Sequence, residues 1–291
     1  MSEIFLAGVM GYPIEHSLSP EIFDFISRRL GIPLVYKKLA VPAEDLQSTV
    51  EVFKKLSLLT GWNVTIPHKK KIVELMDLLS PEARAISAVN VVQVQKNRLL
   101  GYNTDVLGVS ETFRENAILV RDHSALIFGA GGAALSVGYV LGDQGAADVA
   151  LVNRSHDSGE AAVRTLSGVF PKTRFHSLPW SAVESFDSPR ALYVNATPLG
   201  MQGYGASGFH LPRKVTPEAV AFDLIYRPEH TPFLSEMGER GLKTVGGLDM
   251  LIWQAIAAWE IWMHPISNEK DFKSTLKTEL KAHLRQILVK S

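Results

Sequence analysis

Four short polar segments of the 291-residue chain carry more hydroxyl, amide and charged groups than packing needs. They are His16-Ser17-Leu18-Ser19-Pro20, Asn63-Val64-Thr65-Ile66-Pro67-His68-Lys69, Ala88-Val89-Asn90 and Gly101-Tyr102-Asn103-Thr104-Asp105. Each falls at the end of a predicted strand or the start of a helix, where open α/β sheets place ligands. Their combined inventory of hydroxyls, amides, one ammonium and one carboxylate suits a small polyhydroxylated acid. Other readings stay open at single positions. Ser19 before Pro20 can equally be a helix N-cap, and Asn103 with Thr104 a turn. His68 beside Pro67 reads as structural or superficial rather than catalytic. Lys69 opens a run of three lysines. Lys70 and Lys71 read as a solvated face, although spacing alone does not say which of the three points inward.

A second constellation, Phe128-Gly129-Ala130-Gly131-Gly132-Ala133-Ala134, follows an apolar run and opens a helical one. Gly129 permits a tight turn, Gly131 lets backbone approach a pyrophosphate, and Ala134 lets the helix pack close to the sheet. The helix N-terminus then presents free N–H groups to phosphates. An NAD site usually ends the next strand with Asp or Glu to bind the ribose hydroxyls. This chain has Val152-Asn153-Arg154-Ser155 there, and a guanidinium beside a hydroxyl suits a 2′-phosphate. The plainer alternative is a solvated loop arginine.

The elements that must position these groups are legible in outline. Strands are expected at Ile4–Gly8, Leu34–Ala40 and Trp62–Ile66, helices at Glu21–Leu30 and Ala43–Leu56, and a strand pair from Val89–Val94 and the residues before Gly101. A second series starts near Ser110, with strands at Ser124–Phe128, Val149–Val152, Leu192–Asn195, Val220–Leu224 and Lys243–Val245 and a helix at Ala133–Leu141. This alternation predicts an α/β protein with mainly parallel sheets. Leu248–Met263 has helical spacing, and Phe272, Leu276, Leu280, Leu284 and Leu288 recur every four residues between lysines. That basic tilt could suggest a nucleic-acid face, but we read it as a solvated helix surface.

Composition removes several function classes. Thirty Lys plus Arg balance thirty Asp plus Glu, so no global field gathers nucleic acid or anionic membrane. With no cysteine there is no disulfide, thiolate metal site or Cys nucleophile, and a reducing compartment fits. The N-terminus carries an acidic residue and meets Pro13 too soon for a signal peptide. Ser124–Gly142 is free of charge for nineteen residues, but five of these are glycines. Strand, turn and helix explain it better than a membrane span. A soluble cytoplasmic protein of two domains is expected.

With these residues in view, the chain resembles the shikimate dehydrogenase family. GYPIEHSLSP, GWNVTIPHK, AVN, GYNTD, GAGGA, NRS, NATPLGM, FDLIYRPEHTPFL and GLDMLIWQA stand in that family's order along nearly the whole length. The resemblance implies a two-domain α/β fold. Residues 1–108 plus 248–291 would form an N-terminal α/β substrate domain completed by C-terminal helices, and 109–247 a Rossmann-like dinucleotide-binding domain. It implies reversible, NADP-linked reduction of 3-dehydroshikimate to shikimate, without a metal. By motif match Ser17 and Ser19 would hold the carboxylate, with Tyr226 nearby. Asn63, Thr65, Asn90, Asp105 and Gln254 would bind ring hydroxyls, and Lys69 with Asp105 would be the catalytic pair. Gly129, Ala130, Gly131, Gly132 and Ala133 would cradle the pyrophosphate, and Asn153, Arg154 and Ser155 the 2′-phosphate.

Two positions depart from the family pattern. Val91 follows AVN where the family usually has Thr, and Ser158 stands where NADP-using members often carry a second arginine. The competing readings are a quinate/shikimate dehydrogenase tolerant of NAD, an aminoshikimate-type enzyme, and a non-catalytic dinucleotide-binding sensor. The sensor reading predicts loss of Lys69 or Asp105, and both are present. The partner expected is a small-molecule substrate, with no nucleic acid or membrane, and the assembly a monomer or homodimer.

Overall fold

Alternating strand and helix patterns sort into two sheets, one in each of two compact units. Unit one comprises Met1–Leu107 with Ile252–Ser291, and unit two Gly108–Leu251. The computed structural model describes residues 4–56, 58–186, 188–202, 210–263 and 270–290.

The chain begins β1 (Phe5–Gly11), α1 (Ser19–Leu30), β2 (Leu34–Ala40), α2 (Leu46–Lys54) and β3 (Leu59–Val64). It continues β4 (Leu78–Leu79), α3 (Pro81–Ile86), β5 (Val91–Gln95), β6 (Arg98–Tyr102) and α4 (Asp105–Glu115). The first sheet has the order β2-β1-β3-β5-β6-β4. Its β2, β1 and β3 are parallel, whereas β5 runs antiparallel to both β3 and β6. This sheet is therefore mixed. The β5–β6 hairpin turns through Lys96 and Asn97, both at positive φ (49° and 61°), the pairing a two-residue hairpin favours.

Two expected boundaries move for local reasons. The helix expected from Ala43 starts as a 3-10 turn, because the Asp45 N–H donates to the Pro42 carbonyl three residues back (3.2 Å). Strand β3 stops at Val64, and the Thr65 carbonyl then turns to accept the His68 N–H (2.9 Å). Helix α1 ends on Gly31 at φ 68°, whose N–H caps the Arg28 and Ser27 carbonyls. Met10, Trp62, Val64, Ile72, Val89 and Val92 fill the core beneath β1, β3 and β5.

Unit two runs β7 (Ser124–Phe128), α5 (Gly132–Asp143), β8 (Asp148–Asn153), α6 (His156–Val169), β9 (Arg174–Pro179) and β10 (Leu192–Asn195). It ends with β11 (Val220–Asp223), α7 (Pro232–Glu239) and β12 (Lys243–Val245). All six strands are parallel in the order β12-β11-β10-β7-β8-β9. Strand order reverses between β7 and β10, which opens the crevice where a doubly wound sheet holds its ligand. Parallel strands covered on both faces explain the near-continuous apolar run of β7 and β8, whose Leu126, Phe128, Ala150 and Val152 are fully buried. The charge-free stretch 124–142 is thus β7, the glycine turn and most of α5. Among the described residues no helix is long and apolar enough to cross a membrane.

The last helices are α8 (Leu248–Met263) and α9 (Lys270–Lys290). Trp262 of α8 donates its Nε1–H to the Val92 carbonyl (3.0 Å). Gly61 makes room for this contact, since a Cβ there would lie 2.3 Å from Trp262 Nε1. Leu276, Leu280 and Leu284 of α9 are buried, and Arg29 of α1 bonds Glu279 (2.7 Å).

Candidate active site

In unit one, polar side chains from six segments form a serine pair and a separate hydrogen-bonded chain. The pair lies in the turn before α1, where Ser17 Oγ donates to Ser19 Oγ (3.1 Å) and the Ser19 N–H donates back to Ser17 Oγ (3.3 Å). The capping alternative for Ser19 is not realised. Ser19 is the first residue of α1, and the N-cap position, Leu18, makes no side-chain cap bond. Next, Tyr36 on β2 donates its hydroxyl to Asn63 Oδ1 (2.6 Å), and Asn63 Nδ2 faces the Asn90 carbonyl (3.4 Å).

Asn90 is the hub. Its Oδ1 accepts the Thr104 backbone N–H (2.7 Å), while its Nδ2 lies 2.9 Å from Asp105 Oδ1, 3.0 Å from Thr104 Oγ1 and 3.5 Å from Gln254 Oε1. Lys69 Nζ completes the chain by donating to Asp105 Oδ2 at 2.6 Å. The backbone fixes these segments to one another. Val64 N–H bonds the Asn90 carbonyl (2.8 Å), Val89 N–H the Lys69 carbonyl (2.8 Å), and Asn90 N–H the Tyr102 carbonyl (3.0 Å). Asp105 opens α4, where a carboxylate is favoured by the helix dipole.

The three lysines separate clearly. The Lys69 side chain is only 19% exposed and paired, whereas Lys70 and Lys71 are exposed. His68 is fully buried with Nε2 2.7 Å from the Val41 carbonyl, a structural histidine. Asn103 is tied to the Ala88 carbonyl (2.9 Å). Thr65 is half-buried, and its hydroxyl has no bonding partner among the described residues. Val91 is wholly buried, paired across the sheet with Asn63 and Tyr102. Tyr226 lies in unit two between β11 and α7, half-buried. Sequence reasoning missed Tyr36 and left Thr104 between a site segment and a turn. The signal for Tyr36 was present: it is the one fully buried residue of β2, and it carries a hydroxyl.

In unit two the glycine turn sits at the switch point. Gly129 has φ 114°, and its N–H donates to the Val152 carbonyl (2.7 Å). A Cβ on it would lie 3.0 Å from the Ala196 carbonyl oxygen, so glycine is required twice over. Gly131 occupies the N-cap of α5 without a side-chain cap, and a Cβ there would meet nothing within 4 Å. An open approach to the uncapped first turn, formed by Gly132, Ala133 and Ala134, is what a pyrophosphate needs. Ala130 and Ala134 are buried against the sheet.

At the tip of β8, Asn153 Nδ2 donates to the Ser155 carbonyl (2.9 Å), and Ser155 Oγ caps α6 by accepting the Ser158 N–H (3.3 Å). The Ser155 hydroxyl proton remains free to donate. Arg154 is exposed and makes no ion pair among the described residues. These groups fit a dinucleotide bearing a 2′-phosphate.

Beside the turn lies a buried polar cluster that the sequence reading did not use. Asp223 at the end of β11 accepts from Thr231 Oγ1 (2.6 Å), Asn195 Nδ2 (3.0 Å) and the Ile225 N–H (3.0 Å). Burial pushes its carboxyl up to about 6, against the opposing pull of those donors.

Comparison with known proteins places the family and the fold. The family described as shikimate dehydrogenase substrate binding domain matches residues 9–92. The shikimate dehydrogenase (NADP(+)) of Carboxydothermus hydrogenoformans is 36% identical over 88% of this chain and 91% of its own. Among solved structures, shikimate 5-dehydrogenase of Thermus thermophilus, in complex with NADP(H) and shikimate, superposes with a TM-score of 0.80 at 31% identity, covering 96% of this chain and 99% of that one. The Listeria monocytogenes enzyme, in complex with shikimate and NAD, has a TM-score of 0.83 at 28% identity over 96% and 97% of the two chains. With such identity running through both units and nearly the full length, this chain belongs to the shikimate dehydrogenase family.

Proposed function

We propose that this protein catalyses the reversible reduction of 3-dehydroshikimate to shikimate with NADP as the cofactor. The observation that carries the reading is the Lys69–Asp105–Asn90 contact, set among serine hydroxyls and amide groups in unit one. Carbonyl reduction needs a hydride at carbon and a proton at oxygen. Bound NADPH supplies the hydride. The carbonyl oxygen, gaining negative charge, takes its proton from Lys69 Nζ, whose ammonium also stabilises that charge before transfer. Asp105 holds Lys69 in place through Oδ2 and orients the same substrate oxygen. In the reverse direction the same nitrogen receives the hydroxyl proton.

Ser17 and Ser19 are assigned to the carboxylate, because two hydroxyls side by side can both donate to it. Asn63, Thr65, Asn90 and Gln254 are assigned to the ring hydroxyls. For Tyr226 the assignment rests on motif match alone. Gly129 to Ala133 would hold the pyrophosphate, and Asn153, Arg154 and Ser155 the 2′-phosphate. We place the enzyme in the cytoplasm, as a monomer or homodimer. Steady-state assays with shikimate and quinate, each with NADP and with NAD, test the reading. The highest kcat/KM is expected for shikimate with NADP. A higher value for quinate, or no turnover of shikimate with either cofactor, overturns it.

A further inference from the structure

We infer that Tyr36 is a positioning residue for substrate recognition, locking the Asn63 amide so that its N–H group, not its oxygen, faces the ring hydroxyls. This rests on the placement of substrate proposed above.

The orientation follows from donor and acceptor chemistry. The Asn90 carbonyl is an acceptor only, so the Asn63 atom facing it at 3.4 Å must be Nδ2. Asn63 Oδ1 then faces Tyr36, and the 2.6 Å contact requires the phenol to donate. Burial raises the Tyr36 phenol well above its ordinary range, with the nearby Ser19 hydroxyl a smaller opposing influence. The group is therefore a neutral donor at any working pH. Asn63 Nδ2 carries two N–H groups and only one faces the Asn90 carbonyl, so the second is available to a ligand.

The ring itself cannot drift. It stacks on Phe23 of α1 with centroids 4.4 Å apart and planes 10° from parallel, and Trp262 of α8 lies against it at 6.3 Å. Tyr36 is thus placed to act through Asn63. A tyrosine that only fills the core would affect stability but not substrate affinity.

Tyr36→Phe keeps the ring and its stacking while leaving Asn63 Oδ1 without its donor. KM for shikimate should rise about 5- to 100-fold, the scale for a buried acceptor left unpaired. KM for NADP should stay within about twofold, since that site lies in the other unit. In an Asn63→Ala background, Tyr36→Phe should add less than about a further twofold, because the residue acts through Asn63. An unchanged shikimate KM overturns the inference, with or without a fall in melting temperature. So does the same fold-rise in both backgrounds. Asn63→Asp serves if Tyr36→Phe does not fold. It keeps the acceptor for Tyr36 but loses the amide donor, so its shikimate KM should rise as in Asn63→Ala, and an unchanged KM overturns the assigned orientation. Wild-type turnover in the same assay separates these failures from failure of the proposed reaction.

Discussion

Asn90 and Lys69 hold the two oxygens of one carboxylate: Asn90 donates to Asp105 Oδ1 at 2.9 Å and Lys69 to Oδ2 at 2.6 Å. Asp105 is 5% exposed, so this division fixes the carboxylate in a mostly dry setting. It also leaves Lys69 with two unspent N–H donors, enough to bind a substrate oxygen and protonate it. The ion pair is a positioning device as well as an electrostatic one.

Lys69→Ala should therefore lower kcat by about 10²- to 10⁴-fold, the scale for losing a general acid or base. Shikimate KM should change far less, because the serines and amides remain. Stopped-flow or steady-state turnover of the folded variant measures this. Near wild-type kcat would remove Lys69 from the chemistry.

Ser17→Ala and Ser19→Ala each delete one donor to the assigned carboxylate. A hydrogen bond to a charged group contributes about 1.5–3 kcal/mol, so each change should raise shikimate KM by roughly 10- to 150-fold with a smaller effect on kcat. Ser19 caps nothing with its side chain, so the melting temperature of Ser19→Ala should shift little, whereas Ser17→Ala also frees the first N–H of α1 and should cost somewhat more stability. Normal shikimate affinity in both variants would return these hydroxyls to a purely local role.

The residues that punctuate the chain made its architecture legible. The strands at 34–40, 124–128, 192–195 and 243–245 and the helix at 248–263 lie where periodicity put them, because continuous apolar runs and helical spacing survive burial unchanged. The mixed sheet of unit one was not legible as such. Strand direction there depends on a Lys-Asn hairpin turn, and this pair is a weaker signal than Asn-Gly. At the site, Lys69 could not be separated from Lys70 and Lys71 until Asp105 was seen beside it. Tyr36 and the Asp223 cluster were missed for another reason. Their partners lie far away in sequence, Tyr36 with Asn63 and Asp223 with Asn195, and only the sheet register brings them together.

Gly61→Ala should weaken both stability and substrate binding. The added Cβ would lie 2.2 Å from the Val92 carbonyl oxygen and 2.3 Å from Trp262 Nε1, so it must break their hydrogen bond and push α8 outward. Overpacking of this kind costs about 1–3 kcal/mol. Gln254 rides on the same helix, so shikimate KM should rise in parallel with the loss in melting temperature. A variant with wild-type melting and KM would show that α8 does not depend on this close approach.

Asp223 gives unit two a pH-dependent stability of defined sign. Its carboxyl titrates at about 6 in the folded protein, against 3.8 in an unconstrained chain. Between those values the folded state binds more protons than the unfolded chain, so this group's contribution is fully present below about pH 3.8 and is lost as pH rises through 6. The two-unit difference corresponds to about 3 kcal/mol. Asp223→Asn removes the titration. The variant's stability relative to wild type should therefore improve between pH 4 and pH 7 in denaturant titrations. A constant difference across that range would mean that Asp223 titrates normally.

Cofactor preference is expected to turn on one exposed arginine. In favour of NADP, the tip of β8 carries no carboxylate to repel a 2′-phosphate, and Arg154 has no competing ion pair among the described residues. Its guanidinium can meet the phosphate with two parallel N–H bonds, and the Ser155 hydroxyl proton adds a donor beside the N-terminus of α6. Against it, Ser158 stands where a second arginine would be expected, its backbone N–H is already spent on Ser155 Oγ, and exposed Asp157 offsets part of the local field. One charged hydrogen bond is worth roughly 10- to 150-fold in discrimination. Solvent screens an exposed guanidinium, which places this site toward the lower end. NADP should accordingly exceed NAD by about 10-fold or somewhat more in kcat/KM, and the gap should narrow as salt rises. Arg154→Ala should erase most of the preference by raising KM for NADP while leaving NAD kinetics nearly unchanged. Equal use of both cofactors by the wild type, or a persistent NADP preference in Arg154→Ala, would place 2′-phosphate recognition elsewhere.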